Sequence, residues 1–223
     1  MTTPTSPDPR PPLDRQLHVS KLRVMSSTGS TVSVDYETLV GNQPETNKNR
    51  IGIWQGESLP AGTPPVASVG VKLDAPADSE ALSDLTIAAE PYVLGYSLDA
   101  GFTAICATAG LAANGASVPG QSVHLDINPG SLGPSSLVVR YRVPTGYPSA
   151  YFKNWVGLFE GGGINPFSPI FQVLASVKID DNASSGAVAI NHELRRRAAY
   201  SLVYFMGEPR FTAASVLTFQ TKG

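Results

Sequence analysis

Aromatic rings carried among glycines and prolines are the strongest candidates for chemistry in this 223-residue chain. Tyr147, Tyr151, Phe152, Phe167 and Phe171 all fall within residues 144–171. Large rigid rings lose little conformational entropy on contact, so such a stretch suits gripping a protein surface or the face of a sugar. Arg195, Arg196 and Arg197 add three successive guanidinium groups, whose natural partners are carboxylates or acidic headgroups. Both features point to contact chemistry.

Groups that would transfer protons, electrons or acyl groups lack the spacing for it. His18, His124 and His192 are the three histidines, and none stands close in sequence to a cysteine or another histidine as a zinc site requires. His18 and His124 stand 106 positions apart, near the first strand of each half, and are expected to share a structural role. Asp180, Asp181 and Asn182 with Ser184, and Asp74, Asp78, Glu80 and Asp84 in the first half, offer oxygen ligands, but not in an EF-hand pattern. They read as hairpin loops using Asx turns. Gly161, Gly162 and Gly163 lead into Ile164-Asn165-Pro166 with no Lys-Ser/Thr pair, so they read as a turn, not a phosphate cradle. The single cysteine, Cys106, lies in an apolar string and is expected in the core. No catalytic residue, metal site or cofactor is expected, and the chain reads as a non-enzyme.

A formal net charge of −2 with scattered basic residues gives little attraction for a phosphate backbone, which argues against nucleic acid. No run approaches the ~20 apolar residues of a membrane span. Residues 1–12 lack the apolar stretch of a secretory signal, so a cytoplasmic location is expected. With 21 glycines, 19 prolines and only 15% charged residues, turns are favoured over helices.

The elements that must hold the rings follow from a repeat. Val32 to Glu37 returns as Leu137 to Arg142, and Asn49 to Gly56 returns as Asn154 to Gly161, both at an offset of 105, while Phe102-Thr103-Ala104 returns as Phe211-Thr212-Ala213 at 109. Period-two alternation around Tyr36 and Tyr141 predicts half-buried strands, and Ile51–Trp54 and Trp155–Phe159 read as central strands. Further strands are expected at 69–73, 85–87, 92–96, 173–179, 187–190, 200–205 and near 102–109 and 211–220. The whole reads as all-β: two tandem immunoglobulin-like antiparallel sandwiches arising from an internal duplication. The expected division is a proline-rich arm at 1–16, copy one at 17–111, a linker at 112–120 and copy two at 121–223. Trp54, Trp155, Tyr36, Tyr141, Tyr92 and Tyr200 are the expected structural residues, Trp155 as the landmark third-strand tryptophan and Tyr200 as a corner cap.

The string Asn154-Trp155-Val156-Gly157-Leu158-Phe159 resembles the Asp-Trp-(Ile/Val)-Gly-(Ile/Leu)-Phe signature of SKICH domains. Tyr200 to Phe205 is similar to that family's Tyr-x-Phe-x-Tyr strand, and Ala214 to Phe219 to its closing Ala-Ser-x-x-Phe segment. The first half departs from the pattern, with Arg50 in place of the tryptophan and Trp54 in place of Phe159. The resemblance implies an interaction or targeting module without catalytic residues.

Three function classes follow. The first is a binding or scaffolding module that meets a protein partner through loops and sheet edges. The second is a self-assembling structural subunit that uses its N-terminal arm, and the third is a carbohydrate-binding protein.

Overall fold

Alternation of apolar and polar residues decides which face of each strand is buried, and the computed structural model follows it across the residues it describes, 15–60, 62–128, 132–133 and 135–221. In the first half β2 (Lys21–Ser27), β3 (Val32–Glu37) and β6 (Ala77–Leu82) form one antiparallel sheet, in the order β2-β3-β6. It closes over a five-stranded sheet ordered β5 (Ala67–Gly70), β4 (Arg50–Gln55), β7 (Tyr92–Ser97), β8 (Ile105–Leu111) and β9 (Ser117–Val118). The second half has the same order. Its three-stranded sheet runs β10 (His124–Ile127), β11 (Ser136–Arg142), β14 (Ser185–Asn191). Its five-stranded sheet runs β13 (Val173–Lys178), β12 (Trp155–Glu160), β15 (Ala199–Phe205), β16 (Ala213–Gln220), β1 (Arg15–Val19). The chain is all-β and antiparallel, and a single 3-10 turn at Arg210–Thr212 is the only helical element among the described residues.

Inside each sandwich the alternating residues pack as expected. Val32, Val34 and Tyr36 are buried, as are Leu137, Val139 and Tyr141, while Asp35 and Arg140 face outward. Tyr36 stacks on Tyr96 at 5.2 Å, and Tyr141 tilts against Tyr204 at 5.8 Å. A buried asparagine satisfies each of those second tyrosines: Asn49 Nδ2 donates to the Tyr96 hydroxyl at 2.7 Å, and Asn154 Nδ2 to the Tyr204 hydroxyl at 3.1 Å. Tyr200 accepts a hydrogen bond from the Arg195 amide at 2.9 Å, and Tyr92 from the Ala88 amide at 3.1 Å. Both make the corner expected of Tyr200.

The halves are not independent, because each lends its first strand to the other. β1 pairs with β16, the last strand of the second half, from Arg15↔Phe219 to Val19↔Ser215. β9 pairs with β8, the last strand of the first half, and the Ala107↔Ser122 bridge and the Val123 amide bond to the Cys106 carbonyl continue that pairing. Both exchanged strands cap an edge that would otherwise present unpaired amides. Arg15 fastens β1 further: its Nη1 reaches Asp126 at 2.7 Å and the Ile127 carbonyl at 2.9 Å, while Arg140 holds the other Asp126 oxygen at 2.5 Å. Burial alone would raise the Asp126 carboxyl, but the two guanidinium groups outweigh it and hold it below the usual carboxylate range.

The exchange changes the expected boundaries. Residues 15–19 belong to the second half's sheet, and the segment expected as a linker contains β9. His18 lies on the exchanged strand opposite Val216, whereas His124 starts β10 opposite Arg142, so the two histidines do not share one position. Strand six is Ala77–Leu82, not 85–87; the Leu85 and Ile87 amides instead bond the Ser30 and Gly29 carbonyls of the β2–β3 turn. The strand expected at 69–73 is shorter and earlier, Ala67–Gly70. The expected arm, 1–16, lies outside the described residues except for Arg15 and Gln16.

Trp155 is likewise not a core tryptophan. In β12 Val156 and Leu158 point into the sandwich, so period two sends Trp155, Gly157 and Phe159 to the opposite, outer face. There Trp155 is half-buried, stacks on Phe205 at 4.0 Å and 9°, and donates its indole hydrogen to the Gly207 carbonyl at 2.9 Å. Trp54 occupies the outer face of β4 in the same way.

Candidate functional site

The five rings expected to form one surface are separated by the fold. Phe167 and Phe171 turn back over the outer face of the second half's large sheet and pack with Phe159, Phe205 and Trp155. Arg210 secures this cover, with its guanidinium 5.6 Å from the Phe159 ring and Nη1 donating to the Ser168 and Phe171 carbonyls at 3.1 and 2.8 Å. Leu39 of the first half completes the cluster.

Tyr147, Tyr151 and Phe152 go the other way, to the outer face of the first half's large sheet. The loop carrying them makes a sharp turn at Gly146 (φ +86°), where a Cβ would run into the Leu59 backbone. Gly41, 105 positions earlier, has φ +92° and presses against Asn165, so the two halves grip each other with matching loops. The Leu59 amide bonds the Thr145 carbonyl at 3.3 Å. Tyr147 is buried and acts as a strut between the halves, not as a free contact ring: its hydroxyl donates to the Thr103 carbonyl at 2.5 Å, with Asn154 Oδ1 3.3 Å away. Burial pushes its pKa well above the usual tyrosine value, so it stays protonated.

Between these loops lies a groove of about 560 Å³. Its floor is Trp54, laid over the β4 and β7 glycines Gly52 and Gly95, where a Cβ would meet the indole. Phe102 meets Trp54 edge-on at 5.3 Å and 86°, and Arg50 places its guanidinium 5.6 Å from the Phe102 ring while bonding Ser68 Oγ at 2.7 Å. The indole hydrogen of Trp54 goes to the Thr63 carbonyl at 2.8 Å and holds the proline-bearing loop that forms one rim. The opposite rim is Pro148, Phe152 and Tyr151, the last 74% exposed and edge-on to Phe152 at 5.1 Å. Its amide is fixed by Asn182 Oδ1 at 3.1 Å. The sequence reading found Tyr151 and Phe152 but missed Arg50, Phe102 and the proline rim, which only the docking of the halves brings to them.

The remaining candidates serve local structure. Arg195, Arg196 and Arg197 are exposed on the loop before β15, and Arg195 pairs with Glu160 at 3.0 Å. Asp74 caps Thr46, Glu80 takes the Lys72 amide at 3.0 Å and Asp181 takes the Ala183 amide at 2.9 Å, which is turn chemistry. Gly161 and Gly163 form a turn with positive φ. Cys106 is buried and its thiol is pushed up to about 12 by burial. Among the described residues no three His, Cys, Asp or Glu side chains converge as a metal site would need, and no helix is long and apolar enough to cross a membrane.

No family model matches the sequence, and no curated protein matches it. Among solved structures, the chain is similar to the sensor domain of the anti-sigma factor RsgI4 of Pseudobacteroides cellulosolvens, at 19% identity over 45% of this chain and 76% of that one, with a TM-score of 0.29. It is similar to the BSP domain of a biofilm-associated protein at 12% identity over 92% and 29%, TM-score 0.27. A DUF3823 family protein from Bacteroides uniformis matches at 8% identity over 92% and 98%, TM-score 0.29. All three scores are low, so the site is read from its own geometry.

Proposed function

We propose that this chain is a non-enzymatic binding module whose ligand enters the groove between Trp54, Phe102 and Tyr151. One observation carries the reading: an exposed ring, Tyr151, faces a ring-floored groove that is left open where the second half closes the corresponding face. Preformed, mostly apolar concavities with a few fixed polar groups are the usual form of a binding site. Here Arg50 is the one charged group, Thr63, Ser68 and Thr103 add polar side chains, and rings, prolines and aliphatic residues make up most of the rest, which supports contact chemistry. The likeness of residues 154–159 to SKICH domains agrees in direction, because that family's modules are interaction domains.

The test is a panel of proline-rich peptides, acidic peptides and oligosaccharides, read by the two tryptophan indole signals in nitrogen–proton spectra. A groove ligand moves Trp54 and leaves Trp155 in place, and Tyr151→Ala weakens its binding about tenfold without changing the melting temperature. A ligand that moves Trp155 and not Trp54 would place binding elsewhere.

A further inference from the structure

We infer that the groove receives the proline-rich N-terminal segment, residues 1–14, of a second copy of this chain; the inference rests on the groove being the binding surface. Four observations meet here.

The groove's chemistry suits an extended, left-handed polyproline segment. Such segments hold their shape without internal hydrogen bonds and are read by grooves lined with aromatic rings, which take the proline faces at little entropic cost. Phe102, Phe152 and Tyr151 supply those rings above the buried Trp54.

Residues 1–14 have the matching sequence. Pro4 and Pro7, and then Pro9 and Pro12, are each three apart, which puts both members of a pair on one edge of a polyproline helix with three residues per turn. Pro11 adds stiffness.

Charge is also complementary. Arg50 stands in the groove and makes no ion pair among the described residues, and the segment carries Asp8 beside Pro7 and Pro9, with Asp14 and one basic residue, Arg10. A carboxylate next to a ring-bound proline is within reach of that guanidinium.

The direction of β1 selects the second copy. Tyr151 and Phe152 stand at the end of the second half's sheet where Phe205 pairs with Ala213, whereas Arg15 pairs with Phe219 at the other end. Six residues of β16 separate the two, about 20 Å at ~3.4 Å per residue. Traced from Val19 back to Arg15, β1 leads away from the groove. A return to the same chain's groove would require the segment to reverse and run back over that distance. A neighbouring copy needs no turn. Each contact leaves the donor's groove and the acceptor's segment free, so assembly either closes by reciprocal exchange or continues head-to-tail.

The experiment is light scattering of the full chain across a concentration series, alone, as Tyr151→Ala, as the combined Pro7→Ala, Pro9→Ala, Pro12→Ala variant, and with excess synthetic peptide of residues 1–14. The mass of the wild-type chain is expected to climb above the monomer with concentration, and either variant or the peptide to return it to the monomer. The peptide should bind the triple-proline variant and shift Trp54, about tenfold more weakly when Tyr151→Ala is added. A monomer at every concentration with peptide binding only to the triple-proline variant would place the segment in its own groove and overturn the assignment to a second copy. Association that survives both variants would assign it to another surface. A peptide that fails to move Trp54 while another member of the ligand panel does would overturn the inference and leave the groove reading standing.

Discussion

The outer faces of the two five-stranded sheets start from the same strand order and end differently. In the second half Trp155 sits across from Phe205 in the β12–β15 register and the two rings stack; in the first half the corresponding pair is Arg50 across from Ser97. The seven-residue turn that follows is closed identically in both halves, by the Leu98 amide on Ala104 and the Met206 amide on Thr212. That equivalence aligns Phe102 with Arg210, each resting on its own ring, Trp54 or Phe159. Arg210 has donors left to tie down the covering loop; Phe102 has none. One face is therefore filled and fastened, and the other remains a groove. Four side chains on a shared backbone separate a packed surface from a binding surface.

The comparison breaks hardest at Phe205. It is fully buried against both Trp155 and Phe159, so Phe205→Ala should destabilise the chain by about 3–5 kcal/mol in urea unfolding. Ser97→Ala in the first half removes only a hydroxyl bonded to Asp99 and should cost about 1 kcal/mol. Equal losses at both sites would mean that the two faces contribute alike and the stack adds nothing. A smaller change sharpens the same contrast at the asparagines. Asn154 Oδ1 lies 3.3 Å from the Tyr147 hydroxyl, while Asn49 Oδ1 is buried with no partner. Tyr147→Phe should make the second half resemble the first at a cost of about 1–2 kcal/mol, since it also strips the Thr103 carbonyl of its donor.

How much of this was legible depended on the range of the interaction. Period-two patterning placed the strands around Tyr36 and Tyr141, and the tyrosine corner at Tyr200 followed from its place at the opening of a strand. The landmark reading of a third-strand tryptophan misled at Trp155. A ring in a short apolar run carries no mark of which face it takes, and only the neighbouring Val156 and Leu158, both filling the interior, decide it. The Phe-Thr-Ala strings at 102 and 211 match as letters, yet the hydrogen bonds align the turns at 108, one residue away. The strand exchange left no local signal, because β1 and β9 look like ordinary edge strands until their partners are known. For the same reason Tyr151 and Phe152 could be picked out as contact rings, but Arg50, Phe102 and the proline rim, about 50 to 100 positions earlier and contributed by the other half, could not be assigned to them.

Arg210→Gln tests the fastening alone. It keeps the chain length and loses the charge over Phe159 and the bonds to Ser168 and Phe171. Hydrogen exchange in residues 163–172 should accelerate about tenfold, equivalent to about 1.4 kcal/mol of local opening, with global unfolding little changed. Unaltered exchange would show that Phe167 and Phe171 hold the cover by packing alone. The exchanged strand has its own clasp, and pH reads it. The Asp126 carboxyl is depressed in the folded state, so its contribution is present above the unfolded value near 3.9 and is lost as pH falls through the folded one. Asp126 is partly solvated, so the effect is small: the melting temperature should drop more between pH 5 and 3 in wild type than in Asp126→Asn, and identical drops would remove the clasp from the account.

The smallest stability effect belongs to the most informative change. Arg50→Trp gives the first half the residue that fills the second half's face, at a half-buried position whose present side chain only rests on Phe102 and bonds Ser68. No buried ion pair is broken, so stability should move by less than about 1 kcal/mol in either direction. The indole would occupy the groove beside Phe102 and Trp54 and remove its one guanidinium. If the open groove is the functional difference between the faces, every ligand that shifts Trp54 in the wild-type chain should lose its effect in Arg50→Trp while the melting temperature holds. If binding persists with the groove filled, the difference between the two faces is one of packing only, and the contact surface must be sought in the exposed rims around Tyr151.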